Sequence, residues 1–341
     1  MSDFPATVYA HGFSFRKRAI VRRFMPDVEV CFVSQGKSLP AGVTVLLWGS
    51  AEVPDSAPSD VNIIRLEDGF LRSVGLGADL VQPISWVMDG RGIYYDATRW
   101  SDLEYLLETE NINADLQQRA AILRERIVTA GLTKYNVGRE FWQRPVSAQR
   151  VILVPGQVES DASIRFGASE IQKNLLLLRA VREANPSAYL LYKPHPDVVA
   201  GLRKQGVHEG DATRWCDQIV VDCAMGDLLG KVDEVHTLTS LAGFEALLRG
   251  KQVVCYGLPF YAGWGVTRDM VATPRRTRRR TLDELVAAAL ISYPTYISLK
   301  TGKTTTPERA LDELLEWRNN AGDVVSVWRK LLRVLLRLRA N

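Results

Sequence analysis

The chain is 341 residues long, 46% hydrophobic and 24% charged, too long for one ordinary domain and apolar enough to bury two sizeable cores. A net charge of +4 falls short of the basic surface that nucleic-acid binding needs, and no apolar run reaches the length of a membrane span. The four cysteines, Cys31, Cys216, Cys223 and Cys255, show no CxxC spacing, and the first residues lack a signal-peptide pattern; both point to a reducing, cytoplasmic setting.

Strand-like and helix-like segments alternate from the start. Residues 7–10 predict a strand, 13–24 a basic helix, and 28–33, 43–48 and 62–66 three further β-branched, apolar strands. Residues 101–128 carry apolar side chains at helical spacing behind a Ser101 cap and predict one helix. Residues 141–150 read as a linker. Beyond it the rotation is stricter: strand 151–154, then a helix over 170–184 opened by Ser169 and Gln172 in capping-box spacing. Strands follow at 188–193, 218–222 and 232–237, then a helix from Ser240 closed by Gly250, then a strand at 252–256. This order predicts an α/β fold of two doubly wound halves around a cleft. The expected division is 1–145, 146–275, and C-terminal helices over 276–341.

In such sheets ligands bind outside the carboxyl ends of the strands, so the polar segments there carry the functional signal. The loop from Pro155 to Ser163 follows an apolar strand and holds Gly156, Gln157, Glu159 and Asp161. Two acids at a strand end suggest chemistry, and spacing alone does not choose between Glu159 and Asp161. Lys193-Pro194-His195-Pro196-Asp197 ends another strand, and its prolines force a stiff turn that holds lysine and imidazole at fixed angles. A point charge beside a directional N–H donor suits a phosphate. Thr239 and Ser240 stand at a strand-to-helix junction, where free N–H groups form an anion site. Glu245, further along that helix among apolar neighbours, needs a partner such as a pair of ribose hydroxyls or an arginine. The stretch from Tyr256 to Gly265 is dense in glycine and aromatic residues; it reads equally as a pocket wall or as domain-interface core. In the first half, Arg65 to Ser73 puts Glu67, Asp68, Arg65 and Arg72 at a strand end, and Tyr94 to Arg99 adds a second polar cluster. Both would face the first loop across the cleft. No GxxxxGK[ST] loop, complete dinucleotide-binding glycine triplet, HExxH or paired CxxC occurs, which argues against NAD and against a structural zinc.

Together KPHPD, TSLAGFEALLRGK, YGLPFYAGWG, RLEDGF and PGQVESDASI resemble, in the same order, the motifs of KpsC-type capsule polysaccharide transferases over roughly residues 8–315. Such proteins usually carry two modules; this chain has one, and its start is most similar to the second. The resemblance implies a GT-B-like architecture in which the two doubly wound halves are Rossmann-like domains, with an acceptor-side domain at 1–145 and a donor-binding domain at 146–275. It implies a retaining glycosyltransferase that moves Kdo from CMP-β-Kdo to a lipid-linked β-Kdo oligosaccharide, with no cofactor and no metal. Residue by residue, it implies Asp161 as nucleophile and Glu67 as the second essential acid, the base of a double displacement. Gln157, Lys193, His195, Thr239, Ser240 and Glu245 would hold CMP-Kdo, and Asp68, Arg72 and Arg99 are acceptor-side candidates.

Two basic clusters remain. Arg275, Arg276, Arg278, Arg279 and Arg280 read as a solvated face, or as a site for lipid head groups or a polyanionic acceptor. Within 324–339, Arg329, Lys330, Arg333 and Arg337 share one helical face opposite Trp328 and several leucines. That pattern suits either an anionic membrane surface or packing across the two domains. The partners implied are CMP-Kdo, the glycolipid acceptor, the inner-membrane surface and capsule assembly proteins, with no nucleic acid. Two competing readings are another nucleotide-sugar enzyme of the same architecture and a non-catalytic module that binds capsule glycolipid. The presence of Asp161, Glu67 and Glu245 argues against the second.

Overall fold

The computed structural model describes residues 4–34, 36–55, 57–73, 82–134 and 140–320. The segment 324–339, with its expected amphipathic helix, and the Gly75-Leu76-Gly77 stretch lie outside the described residues. Among the described residues no helix is long and apolar enough to cross a membrane.

Two sheets organise the chain. The first is built from β1 (Thr7–His11), β2 (Glu29–Val33), β3 (Thr44–Trp48), β4 (Asn62–Asp68) and β5 (Ser85–Asp89). Strands β1 to β4 run parallel, and β5 is antiparallel to β4. Strand β3 shows why it sits centrally. Its sequence TVLLW is buried along nearly its whole length, and successive side chains point to opposite faces. Leu46 joins the cluster on one face with Val8, Ala10 and Trp86, while Val45 and Leu47 join Leu39 on the other. Helix α1 (Phe15–Phe24) covers the first of these faces with Val21 and Phe24.

The second sheet contains β6 (Val151–Pro155), β7 (Tyr189–Lys193), β8 (Gln218–Ile219), β9 (Glu234–Thr237), β10 (Gln252–Cys255) and β11 (Arg268–Asp269). All its pairings are parallel, in the spatial order β8-β7-β6-β9-β10-β11. This is the doubly wound order in which the chain starts at the centre and winds outward in both directions. Strand β6 is buried throughout, as expected of a parallel strand covered on both faces. Val151 and Leu153 face one apolar cluster, Ile152 and Val154 the other.

Three departures from the sequence expectation have physical causes. The single helix expected over 101–128 is two, α2 (Asp102–Thr109) and α3 (Ala114–Thr129). Asn113 caps the second by accepting from the Leu116 N–H at 2.9 Å, which starts a new helix where periodicity alone continued the old one. The helix expected from 170 is displaced: a short helix α4 (Ala162–Gly167) precedes it, and α5 runs Asn174–Ala184 with no side-chain cap at Lys173. Gln172 donates to Ala168 O at 2.7 Å and makes no capping box. Finally, the segment from 276 on, expected as helices alone, returns to the first sheet. After α9 (Leu282–Val286) and a π-helical turn at Ala287–Ser292, β12 (Pro294–Ile297) pairs antiparallel with β5, and β13 (Thr304–Thr305) pairs with β12. The first sheet is therefore mixed. Helix α10 (Pro307–Asn320) then packs against α3 and β12.

The largest apolar cluster belongs to neither sheet alone. It joins Phe70, Ile84 and Val87 of the first half and α2 and α3 to Val151, Leu153, Phe244, Phe260 and Trp264 of the second. The arginine run at 275–280 is not a solvated face. Arg275 and Arg276 both bind Glu104 of α2, at 2.9 and 3.1 Å. Arg278 donates to Glu108 O and Glu110 O, and Arg280 to Leu107 O and Glu110 O, at 2.6–3.2 Å. These are carbonyls at the C-terminus of α2, which lack intrahelical partners and carry negative partial charge. The cluster straps the second half to α2.

Candidate active site

Strand order in the second sheet reverses between β6 and β9, so the segments leaving their carboxyl ends diverge and open a crevice. A cavity of about 430 Å³ lies there, large enough for a nucleotide-sized ligand. Its wall includes the loop after β6, the turn after β7, the junction after β9, and residues of the first half.

The wall on the second sheet is a braced one. Gln157 is buried; its amide donates to Thr239 Oγ1 at 2.9 Å and accepts from the Thr239 N–H at 3.0 Å. Its backbone N–H and C=O are both held by the Asn174 side chain, at 2.9 and 2.8 Å. Gln157 and Thr239 thus line the cavity but bind each other, which makes them a brace between two loops. After α7 (Met225–Lys231) and β9, Ser240 caps helix α8 (Leu241–Leu248), accepting from the Ala242 N–H at 3.2 Å. Tyr261 O–H donates to Ser240 O at 2.5 Å, locking the junction from behind.

The Pro-His-Pro turn continues this wall and opens the short helix α6 (Pro196–Val199). His195 Nδ1 accepts from the Asp197 N–H at 3.2 Å. Burial, and then the nearby Arg203, push its pKa down to about 4. The imidazole is therefore neutral near pH 7, and with Nδ1 accepting, its Nε2 carries the proton. It offers a directional N–H rather than a charge. Lys193 is buried, its pKa lowered by burial, with Nζ donating to Val221 O at 3.0 Å.

The two acids of the loop part company. Glu159 is outside the cavity wall: Oε1 accepts from the Asn174 N–H at 2.9 Å, and Oε2 lies 3.1 Å from both Lys173 Nζ and Val207 N. It holds the start of α5. Asp161 lines the cavity, half exposed, with Oδ1 paired to Arg203.

Opposite stand Glu67, Tyr94 and Tyr95 of the first half. Glu67 comes near the end of β4. Burial, reinforced by Asp68, raises its pKa to about 7. Gly49 explains how it is accommodated. With φ +54, a Cβ there would lie 2.6 Å from Tyr95 Oη and 3.0 Å from Glu67 Oε2, so only glycine leaves room for both groups. Glu245 also lines the cavity, its pKa raised by burial to about 7, and Oε1 accepts from the Lys134 N–H at 2.6 Å.

The acceptor-side candidates fall elsewhere. Asp68 and Arg72 form an ion pair at 2.6 Å, Arg99 pairs with Asp96 at 3.0 Å, and none of the three is part of the cavity wall. Each arginine had a carboxylate within four residues, and the local pair formed. The aromatic stretch is mainly core: Tyr261 and Trp264 are fully buried, while Phe260 both lines the cavity and packs, tilted, with its ring 4.5 Å from that of Phe70 across the two halves. Sequence reasoning passed over Arg203, Thr133 and Lys134, which also line the cavity. They lie in polar stretches with no motif around them.

Two lobes, one with the doubly wound strand order, and a cavity at their shared carboxyl edges define a GT-B-like α/β protein. The chain belongs to the capsule polysaccharide biosynthesis protein family, which it matches over residues 45–135 and 143–299. It is 45% identical over 322 residues to the capsule polysaccharide modification protein LipA of Neisseria meningitidis, covering 92% of this chain and 46% of that protein. It is 41% identical to the lipopolysaccharide-processing protein LpsZ of Rhizobium meliloti, covering 89% of this chain and 73% of that one. The chain thus spans about half the length of LipA. Among solved structures it is similar to the β-Kdo 2,7 transferase of Thermosulfurimonas dismutans KpsC, with TM-score 0.76 and 40% identity over 92% of this chain and 99% of that one. The β-Kdo 2,4 transferase of the same KpsC superposes with TM-score 0.78 at 34% identity, over 90% of this chain and 98% of that one.

Proposed function

We propose that the chain is a retaining β-Kdo transferase that moves Kdo from CMP-β-Kdo to a lipid-linked β-Kdo acceptor. The observation that carries this reading is the pair of carboxyls in one cavity: Asp161 held by an arginine, and the half-buried Glu67 with its pKa raised to about 7. Two titratable groups in contrasting environments suit a nucleophile and an acid/base. The two similar KpsC structures, named β-Kdo transferases, support Kdo as the sugar.

In the first displacement an Asp161 oxygen attacks the anomeric carbon. The bond to the phosphate oxygen breaks and its electron pair leaves with CMP. Lys193, the Nε2–H of His195 and the N-terminus of α8 meet the charge that develops on the phosphate. In the second, Glu67 takes the proton of the acceptor hydroxyl, whose oxygen displaces Asp161 and restores its carboxylate. Two inversions return the β configuration. Incubation with CMP-Kdo generated in place and a short β-Kdo glycolipid, followed by NMR of the product, tests this. A β-linked added residue is expected; an α-linked product would overturn the mechanism, and no transfer would overturn the activity.

A further inference from the structure

We propose that Arg203 recognises the acid group of the donor sugar, exchanging its contact with Asp161 for a bridge that holds both carboxylates. This rests on the reading above, in which the donor is a 2-ulosonic acid.

The chemistry poses a problem that ordinary sugar donors do not. In a 2-ulosonic acid the anomeric carbon itself bears a carboxylate. A carboxylate nucleophile must approach a carbon flanked by a like charge, in a site partly withdrawn from water, where such repulsion is poorly screened. A cation is needed between the two anions.

The candidates on the cavity wall are Lys134, Lys193 and Arg203, with His195. His195 is neutral near pH 7, and Lys193 is drawn toward Val221 O beside the phosphate-suited turn. Arg203 is the cation in direct contact with Asp161, through Oδ1, and it lies 3.5 Å from Ser160 Oγ. Its backbone is anchored by the same turn that carries His195. The N–H groups of Leu202 and Arg203 both donate to Asp197 O, at 2.8 and 3.2 Å. Its guanidinium is also close enough to His195 to lower the imidazole pKa. It therefore touches the candidate nucleophile and neighbours the phosphate-suited turn, the two groups that would flank the anomeric carbon. A planar guanidinium with five donors can hold Asp161 through one nitrogen and a second carboxylate through another. Its side chain is 42% exposed, so it is free to turn toward an entering ligand.

Methyl β-Kdo glycoside and its carboxamide counterpart, which lacks only the charge, are the probes, with binding read by ligand-observed NMR in the presence of CMP. The wild-type chain is expected to prefer the carboxylate by about ten-fold or more, the range of a charge-assisted contact. Arg203→Met is expected to lose that preference while binding CMP within about two-fold of wild type; Arg203→Lys, which keeps the charge but not the fork, should keep part of it. Equal binding of the two probes by the wild type, binding of neither, or an intact preference in Arg203→Met would overturn the proposal. Loss of CMP binding in step with the preference, in both variants, would show a structural role for the turn and overturn it as well. These readouts need no turnover, so they stand apart from the transfer assay: wild-type chain that prefers the carboxylate yet transfers nothing fails the activity and not the arginine.

Discussion

The two walls of the cavity are built on different plans. On the second sheet, Gln157, Asn174, Thr239, Ser240 and Tyr261 tie three loops together through side chains that reach backbone groups. On the first half, the wall has Glu67 and two tyrosines, and its distinguishing property is the burial that raises the Glu67 pKa. One wall is braced by hydrogen bonds in the absence of ligand, which lowers the ordering cost of binding there. The other presents a carboxyl whose raised pKa suits the proton transfer proposed for Glu67. Changes on the first half should therefore alter chemistry and pH dependence, and changes to the braced wall should alter donor binding.

The largest expected effect tests whether the loop acid belongs to chemistry rather than to the brace. Asp161→Asn should lose transfer by on the order of 10⁴-fold or more, with CMP inhibition nearly unchanged. Glu159→Gln should instead lower the melting temperature and keep measurable turnover, because Glu159 holds the start of α5. Reversed results in the same two assays would exchange the roles.

Next is Glu67. In the wild type, the rate should rise with pH through about 7 and level above it, since the proposed mechanism uses the ionised form as base. Glu67→Gln should cost about 10²–10⁴-fold and flatten that limb; a limb that survives the substitution would assign it to another group. The sign for stability is opposite. The folded-state pKa of Glu67 is raised, so the stability linked to its neutral form is complete below the unfolded value of about 4.5 and is lost as pH rises through about 7. Thermal melts across that window should show a shallower decline in Glu67→Gln.

Gly49→Ala should displace Tyr95 and Glu67 together and cost roughly 10²-fold in turnover, as a misplacement of about an ångström does, with CMP inhibition preserved. The smallest effect is His195→Ala, which removes one N–H donor from the braced wall and should weaken CMP inhibition by about ten-fold. An unchanged inhibition constant would take the turn out of phosphate binding.

Much of the second half was readable because parallel strands buried on both faces, such as β6, leave unbroken apolar runs bounded by polar loops. Strands β5 and β12 were not, because SWVMD and PTYI are short and mixed, and their pairing joins residues about 200 apart in sequence. The site divided the same way. Asp161, Glu67, Lys193 and His195 stand at strand ends inside recognisable motifs. Arg203 gains its meaning from a partner 42 residues away, on another loop. The arginines at 275–280 look like a solvated run in sequence because the helix end they cap is about 170 residues distant.

The return of β12 and β13 to the first sheet has a mechanical consequence. Among the described residues, the chain lies in the first lobe before α3 ends, in the second from the β-bridge between Glu140 and Cys223 to Asp269, and in the first sheet again at Pro294. One passage would act as a swivel. Two separated covalent passages restrict how the lobes can move against each other more than one would. The buried guanidinium of Arg276, gripping Glu104 on the return passage, fastens that passage to α2.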